Sequence, residues 1–244
     1  MEPLVLPPRE GRTYASARRI RLADRDASGR LRLDAVARFV QDVATDDVDE
    51  TGWGAPDHLW VVRSMRIDVL EPPVDDDHVE LLTWCSGTGT VAAGRRMSLT
   101  GDRGGRVEVD GVWIHLDSGA RPQRIEHFEI YADSAEGREV ATKLELEEPG
   151  GSAAVDWHVR VSDLDLMGHV NNAVYWAAVE ECALAGGFEL RWPLRARLDY
   201  RHPVDFGDHL RLGYSASDGH AAIAFVVDGV TNAVARLDPL NDGR

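Results

Sequence analysis

Residues 162–175 read Ser-Asp-Leu-Asp-Leu-Met-Gly-His-Val-Asn-Asn-Ala-Val-Tyr, and a weaker copy of this stretch lies 139 residues upstream. The copy, residues 24–31, reads Asp-Arg-Asp-Ala-Ser-Gly-Arg-Leu. Both share the pattern Asp-x-Asp-x-x-Gly-(His/Arg)-(Val/Leu), but only the later copy has a histidine, His169, and the asparagine pair after it. A duplicated unit with one chemically equipped copy indicates an enzyme made of two fused, diverged halves.

The repeat continues through a helix in each half. Apolar residues fall at i, i+3, i+4 and i+7 in both halves, again 139 apart: Val36, Phe39, Val40 and Val43, then Tyr175, Ala178, Val179 and Cys182. This spacing predicts two amphipathic helices in the same register. Gly186 and Gly187 predict the end of the second helix, because glycine readily adopts the left-handed cap conformation.

Beyond the helices the repeat continues with an offset of 131 residues. Residues 65–72 resemble residues 196–203, and residues 77–81 resemble residues 208–212. Each unit therefore reads as a short strand, a glycine-containing loop, a helix and several longer strands. The predicted short strands are 17–22 and 157–161, and the predicted interior strands include 112–116 and 224–227. One helix followed by a run of strands favours an α+β fold with an antiparallel sheet.

An acidic segment separates the two halves. Residues 132–150 contain six acidic and two basic residues, and residues 147–151 read Glu-Glu-Pro-Gly-Gly. This composition predicts a solvated linker. The expected organisation is an N-terminal unit over residues 1–131, a linker over residues 132–151 and a C-terminal unit over residues 152–244.

Composition excludes several classes of partner. The formal net charge of −15 argues against nucleic acid and anionic membranes. No apolar run reaches the ~18 residues of a membrane span, and the N-terminus lacks the basic start and apolar core of a signal peptide. Cys85 and Cys182 are expected to be buried free thiols, as in a reducing cytoplasm, rather than a disulfide or nucleophiles. A cytoplasmic location is therefore expected.

The segment Asp165-x-x-x-His169-Val-Asn-Asn, with Tyr175 and Glu181 behind it, resembles the signature of the acyl-ACP thioesterases. Strand-like segments of the N-terminal half match the family pattern too, so the resemblance covers about residues 14–237; these segments are 59–65, 83–87 and 112–114, the last followed by Arg121-Pro122. The resemblance implies a tandem double hotdog, in which each half has a long helix wrapped by an antiparallel sheet. It also implies that the N-terminal half is non-catalytic and shapes the acyl pocket.

Two positions depart from the family pattern. Met167 stands where the family usually has asparagine, and His202-Pro203 stands where it carries an acidic residue and often a cysteine. The resemblance nevertheless implies that Asp165 and His169 are the catalytic residues.

Thioester hydrolysis needs an activated water or carboxylate and a stabilised oxyanion. Asp165 is predicted to orient or deprotonate water, and His169 to hydrogen-bond Asp165 or the thioester. A helix N-terminus presents unpaired backbone N–H groups, so the amides around Gly168 and Val170 are predicted to form the oxyanion site. Residues predicted to support the site are Asn171, Glu181 and His202. The alternative reading is that Asp165 and the asparagine pair serve only as turn or helix caps.

The resemblance implies hydrolysis of fatty acyl-ACP to a free fatty acid and the carrier thiol, in fatty acid biosynthesis. Two alternatives remain open: an acyl-CoA thioesterase, or a catalytically weakened acyl-binding hotdog protein. A hotdog hydratase fits less well, because no proline lies between Asp165 and His169. No cofactor and no metal are predicted. The predicted contacts for an acidic carrier protein are Arg195, Arg197 and Arg201, and a homodimer of the fused chain is left open.

Overall fold

The computed structural model describes residues 4–52, 59–74, 78–150, 153–217 and 219–240. The strands are β1 (Thr13–Arg19), β2 (Leu59–Glu71), β3 (His78–Thr88), β4 (Ala92–Gly101), β5 (Arg106–Leu116), β6 (Ala153–Trp157), β7 (Leu194–Tyr200), β8 (Leu210–Ser217), β9 (His220–Val227) and β10 (Val230–Pro239). The α-helices are α1 (Leu33–Thr51), α2 (Glu129–Ala135) and α3 (Asn172–Ala185). Each of the long helices α1 and α3 follows the first strand of its half, as the sequence predicts.

The strands form one antiparallel sheet in the order β1-β3-β4-β5-β2-β7-β10-β9-β8-β6. Read inward from either edge, this order is the same: first strand, then the third, fourth, fifth and second strands of each half. Strands β5 and β9 lie in the interior of the sheet, as predicted. A large antiparallel sheet with few helices agrees with the predicted α+β class.

The two halves meet where β2 pairs with β7. Arg66 lies opposite Arg197 in this pair, and the two residues are themselves 131 apart, which makes them repeat equivalents. On either side, Met65 pairs with Leu198 and Ile67 with Ala196, and each pairing is the repeat image of the other. The seam therefore has an approximate two-fold axis that passes through the Arg66–Arg197 position.

The loop before each long helix repeats just as closely. The 3-10 turns Leu22–Asp24 and Val161–Asp163 lie 139 residues apart, as do the first residues of α1 and α3. Gly29 and Gly168 both adopt positive φ, at 85° and 80°, which L side chains rarely tolerate. The constant offset predicted for loop and helix is confirmed.

The long helices α1 and α3 and one face of the sheet share a single core. Each predicted apolar stripe is buried, α1 packs against α3, and inward-facing strand residues such as Ile67 and Leu198 complete the cluster. The opposite sheet face carries charges at the seam. There Asp68 accepts hydrogen bonds from Arg66 and, at 2.8 Å, from Arg195, so a carboxylate that is almost fully buried stays paired.

The first strand of each half starts four residues earlier than predicted. The predicted strands 17–22 and 157–161 correspond to β1 and β6, which end at Arg19 and Trp157. The chain then turns because Asp24 and Asp163 accept the backbone N–H groups of Arg21 and Arg160, each at 2.9 Å. These side chains stabilise the 3-10 turns and stop the strands.

The segment between the halves is mostly exposed, but it contacts the sheet at several places. Helix α2 crosses the predicted boundary at residue 131, and Tyr131 and Ala135 pack with Cys85 of β3. Further along, the Asp199 carboxylate accepts the backbone N–H groups of Glu145 and Leu146 at 2.9 and 2.8 Å. The segment therefore docks on the sheet. Gly151, the last residue of the predicted linker, lies outside the described residues.

Both cysteines are buried and free, as predicted. Burial raises the pKa of Cys182 to about 11, so this thiol stays protonated at neutral pH. In the described part of the chain, no helix is both long and apolar enough to cross a membrane.

Candidate active site

The loop that holds Asp165 is closed by its own carboxylate. Asp165 Oδ1 accepts the backbone N–H groups of Met167, at 2.8 Å, and His169, at 3.2 Å. The backbone N–H of Asp165 donates to the carbonyl of His169 at 2.8 Å, and Gly168 makes the turn between them. Asp165 Oδ1 therefore caps the turn, as the alternative reading of the sequence predicted.

The equivalent carboxylate of the first half is fully engaged. Asp26 Oδ1 accepts from Ser28 and from the backbone of Arg30, and Oδ2 accepts from Arg30 Nε and Nη2 at 3.0 and 2.6 Å. Burial opposes ionisation of Asp26, but these hydrogen bonds outweigh it and lower its pKa. In contrast, Asp165 Oδ2 has no hydrogen bond to any described residue. One carboxylate oxygen is thus available in the second half alone.

His169 stands where the first half has Arg30. Its imidazole is partly exposed, and Nε2 lies 3.5 Å from Oδ1 of Asp205. Sequence reasoning missed Asp205, although the repeat contains a signal for it. The backbones of His169 and Asp205 form an isolated bridge, and the residues 139 and 131 positions earlier, Arg30 and Val74, form the same bridge.

The predicted oxyanion donors are already in use. The N–H of Gly168 donates to the Asp165 carbonyl at 3.1 Å, and that of Val170 donates to the Val204 carbonyl at 2.8 Å, so neither N–H is free to bind an oxyanion in this structure. Within the described run 168–174 only the N–H of Asn172 lacks a partner. Asn172 is the first residue of α3, where an unpaired N–H and the helix dipole favour a negatively charged oxygen.

The two asparagines have different roles. Asn171 is the N-cap of α3 and accepts the N–H of Ala173 at 2.9 Å, which confirms the capping alternative. The side-chain oxygen of Asn172 is buried without a hydrogen-bond partner, and its backbone carbonyl accepts the Tyr200 hydroxyl at 3.0 Å. Tyr175 packs edge-on against Tyr200, and burial raises its pKa, so it is a neutral core residue.

Of the two glutamates on α3, the one turned inward is not Glu181, the predicted supporting residue. Glu181 is exposed, whereas Glu180 turns inward and its Oε2 accepts the backbone N–H of Leu33 at 3.3 Å. Burial raises the pKa of Glu180 to about 7. A signal was present, since Glu180 lies four residues after Trp176 and eight after Asn172 and so shares their helix face.

His202 does not replace the missing acid. Its side chain is exposed, its backbone N–H donates to the Asn232 carbonyl at 3.0 Å, and no described contact joins it to Asp165 or His169. Met167 is also exposed and adds no polar group. Neither Met167 nor His202 therefore supplies the polar group that the family usually has at its position.

The three arginines predicted to bind the carrier are occupied. Arg195 pairs with Asp68 at 2.8 Å, Arg197 with Asp238 at 3.3 Å and Arg201 with Glu148 at 2.9 Å. They serve the sheet face and the docked linker, so they do not form a free basic patch. Sequence reasoning could not see this, because their partners lie between 41 and 127 residues away along the chain.

Two other features of the site region bear on its chemistry. Across the described ranges no three His, Cys, Asp or Glu side chains converge in a way that would hold a metal ion. A cavity of about 570 Å³ lies between residues 143–148 and Arg201, but the residues of the Asp165 loop do not line it. The chemistry available near Asp165 is that of a carboxylate oxygen, an imidazole and one helix N-terminal N–H, a set suited to activating water and stabilising an oxyanion.

Comparison with known proteins matches both halves of the chain to one family. Residues 11–133 match the model of the acyl-ACP thioesterase N-terminal domain, and residues 146–231 match that of the acyl-ACP thioesterase C-terminal domain. A Mycobacterium tuberculosis protein described as uncharacterised is 30% identical over 240 residues, which cover 96% of this chain and 95% of that protein. The oleoyl-acyl carrier protein thioesterase 2 of Arabidopsis thaliana chloroplasts is 27% identical over 171 residues, 59% of this chain and 46% of its own.

Solved structures agree with the fold. The putative oleoyl thioesterase of Lactobacillus plantarum superposes with a TM-score of 0.79 at 20% identity, and 96% of this chain and 99% of that one are covered. The 12:0-ACP thioesterase of Umbellularia californica gives a TM-score of 0.75 at 21% identity, with 93% and 96% covered. At these identities the likeness extends to the fold alone.

Proposed function

We propose that this chain, which belongs to the acyl-ACP thioesterase family, hydrolyses fatty acyl-ACP at the Asp165 loop. Membership of this family indicates thioesterase activity. The products are a free fatty acid and the carrier thiol. A role in fatty acid biosynthesis and a cytoplasmic location are parts of the same proposal. It also treats the halves as two fused hotdog units, which the mirrored strand order supports.

In the proposed reaction Asp165 Oδ2 takes a proton from a water molecule. The water oxygen forms a bond to the thioester carbonyl carbon, and the carbonyl π-electron pair moves onto the carbonyl oxygen. This oxyanion accepts a hydrogen bond from the Asn172 N–H. The C=O bond then re-forms, the C–S bond breaks and the sulfur takes the proton from Asp165. Because a thiol has a pKa near ~8.5, its departure needs little acid assistance. His169 and Asp205 hydrogen-bond the attacking water.

One observation carries this assignment: Asp165 leaves an oxygen unbonded, whereas Asp26 gives both of its oxygens to hydrogen bonds that include Arg30. A base needs a free lone pair within reach of water. The difference supports a single active site, in the second half, and a first half that contributes to the acyl pocket.

A catalytically weakened acyl-binding protein is the second candidate. Met167 and the exposed His202 favour it, because neither provides the polar group that the family usually has at its position. The two candidates predict the same ligands but different turnover.

The test is a matched panel of acyl-ACP and acyl-CoA substrates of several chain lengths, with release of the free thiol as the readout. The proposal expects turnover of acyl-ACP above that of acyl-CoA, and its loss in Asp165→Asn. Faster turnover of acyl-CoA would assign the CoA thioesterase instead. Saturable binding of an acyl-ACP with turnover no higher than that of Asp165→Asn would assign the binding protein.

A further inference from the structure

The two-fold axis at the seam relates contacts across the two long helices. If residue i of α1 contacts residue j of α3, then residue j−139 of α1 must contact residue i+139 of α3. The Glu180 carboxylate accepts the N–H of Leu33, the first residue of α1. Its image places Gln41 of α1 opposite Asn172, the first residue of α3.

The packing between the helices agrees with this relation. The same operation maps Ala37 of α1 and Trp176 of α3 onto each other, which is what two residues near the axis at the centre of the interface would show. Both are fully buried, and a small residue opposite the largest side chain fits two closely packed helices. Each helix therefore presents one stripe to the other: Leu33, Ala37 and Gln41 on α1, and Asn172, Trp176 and Glu180 on α3.

The two ends of this stripe differ in one respect. At the N-terminus of α1 a carboxylate oxygen occupies the position that an oxyanion would take, 3.3 Å from the Leu33 N–H. At the N-terminus of α3 the two-fold relation brings a neutral amide, that of Gln41, to the equivalent place. There the Asn172 N–H and side-chain oxygen have no partner within the described residues. The helix end opposite glutamate is filled, and the helix end opposite glutamine is open.

We propose that Gln41 is part of the active site of the other half, where its side-chain amide N–H and the Asn172 N–H together bind the thioester oxygen. Glu180 is its counterpart, and it blocks the same position at the N-terminus of α1. The active site is thus composite: the first half contributes Gln41, and the second half contributes Asp165, His169 and Asn172. This inference rests on the proposed function for its chemistry but not for its geometry.

The geometry is tested without any substrate, by following the amide signals of Leu33 and Asn172 in ¹H–¹⁵N spectra as pH is varied. Burial raises the pKa of Glu180 to about 7, so the Leu33 signal should shift near neutral pH in the wild type and not in Glu180→Gln. The charged groups around Glu180 are Arg32, Asp34 and Asp26. The residues 139 positions later, which the two-fold relation places around Gln41, are Asn171, Ala173 and Asp165. His169 is the equivalent of Arg30, the partner of Asp26.

Gln41→Glu places a carboxylate opposite Asn172 and provides the decisive spectrum. We expect the Asn172 signal to gain a titration that is absent from the wild type. A folded Gln41→Glu variant in which Asn172 titrates as in the wild type would overturn the placement of Gln41.

Kinetics test the role of Gln41 in hydrolysis. Removing one oxyanion donor typically lowers kcat by ~10²–10³-fold, so Gln41→Ala should lose about that much. Gln41→Glu should be at least as slow at pH 8, because its carboxylate fills the oxyanion position, and its rate relative to the wild type should rise as pH falls and the carboxyl becomes a donor. Glu180→Gln should keep wild-type turnover. A pH-independent ratio for Gln41→Glu, or an unchanged rate in Gln41→Ala, would refute the catalytic role.

The two proposals can fail separately. If the wild type hydrolyses no thioester, the proposed function fails, and the amide titrations still decide whether Gln41 faces Asn172. If hydrolysis depends on Asp165 but not on Gln41, the function stands and the composite site does not.

Discussion

Asp26 and Asp165 close equivalent loops with equivalent backbone hydrogen bonds, but only Asp26 gives its remaining oxygen to an arginine. Oδ2 of Asp26 is held by Arg30 at 2.6 Å, whereas Oδ2 of Asp165 has no partner among the described residues. Duplication has therefore preserved the loop and changed the use of its carboxylate.

The open N–H of Asn172 can be removed without breaking α3. Proline is favoured at the first helical position, and Asn171 already has the extended ψ of 137° that a following proline requires. Asn172→Pro should therefore fold but lose ~10²–10³-fold in kcat, as for other lost oxyanion donors. The measurement is steady-state hydrolysis of the best acyl thioester.

Asn172→Ala is the matched control, because it retains the N–H and removes only the side chain. It should keep most of the wild-type kcat. Equal losses in the proline and alanine variants would attribute the effect to the side chain and contradict the backbone oxyanion site.

Glu180 should make the protein less stable as pH rises. Its folded pKa of about 7 lies above the usual 4.5, so the folded state holds the proton more tightly and stability falls between these values. The shift predicts a loss of about 2 kcal/mol between pH 5 and pH 8 from this group. In urea unfolding, Glu180→Gln should therefore be more stable than the wild type at pH 8. At pH 5 this gain in stability should be much smaller. The same stability difference at both pH values would contradict the burial of this acid.

Asp47 anchors an ion-pair cluster of the first half that has no equivalent in the described part of the second half. It is 1% exposed and accepts hydrogen bonds from Arg12 and Arg95, both at 2.7 Å, whereas its repeat equivalent is Gly186. Asp47→Asn leaves the partly buried Arg95 without its counter-charge and Arg12 with only the exposed Glu50, at 3.2 Å, and should cost ~3 kcal/mol or more. Asp46→Asn, which removes an exposed pair with Arg18, should cost ~1 kcal/mol or less. Similar losses in urea unfolding for the two variants would contradict the proposed importance of burial.

Much of the fold could be predicted because the duplication gives each element two sequence patterns that can be compared. The 139-residue offset fixed the two loops and helices, and the 131-residue offset identified β2 and β7, which then pair at the seam. Both first strands end earlier than predicted, by three and four residues, since Asp24 and Asp163 cap turns whose start resembles a continuing strand.

The polar groups of the site were harder to assign. Glu180 shares the helix face of Trp176, but α3 is apolar on most of its surface, so this spacing is a weak signal. Packing against α1 decides which of Glu180 and Glu181 is turned inward. Nor does a sequence reveal which N–H groups of a loop are already bonded, and this is why Gly168 and Val170 were predicted instead of Asn172. Likewise, Arg195 meets Asp68 only across the seam.

The central claim is that one of two equivalent carboxylates does the chemistry, and a paired substitution tests it most directly. Asp165→Asn and Asp26→Asn alter equivalent loops in the same way, so both should be checked for folding by circular dichroism and then assayed with the same acyl thioester. We predict that Asp165→Asn lowers kcat by at least ~10²-fold, the low end for lost acid–base catalysis, and that Asp26→Asn stays close to the wild type. Equal losses in two folded variants, or a larger loss for Asp26→Asn, would contradict a single active site at Asp165.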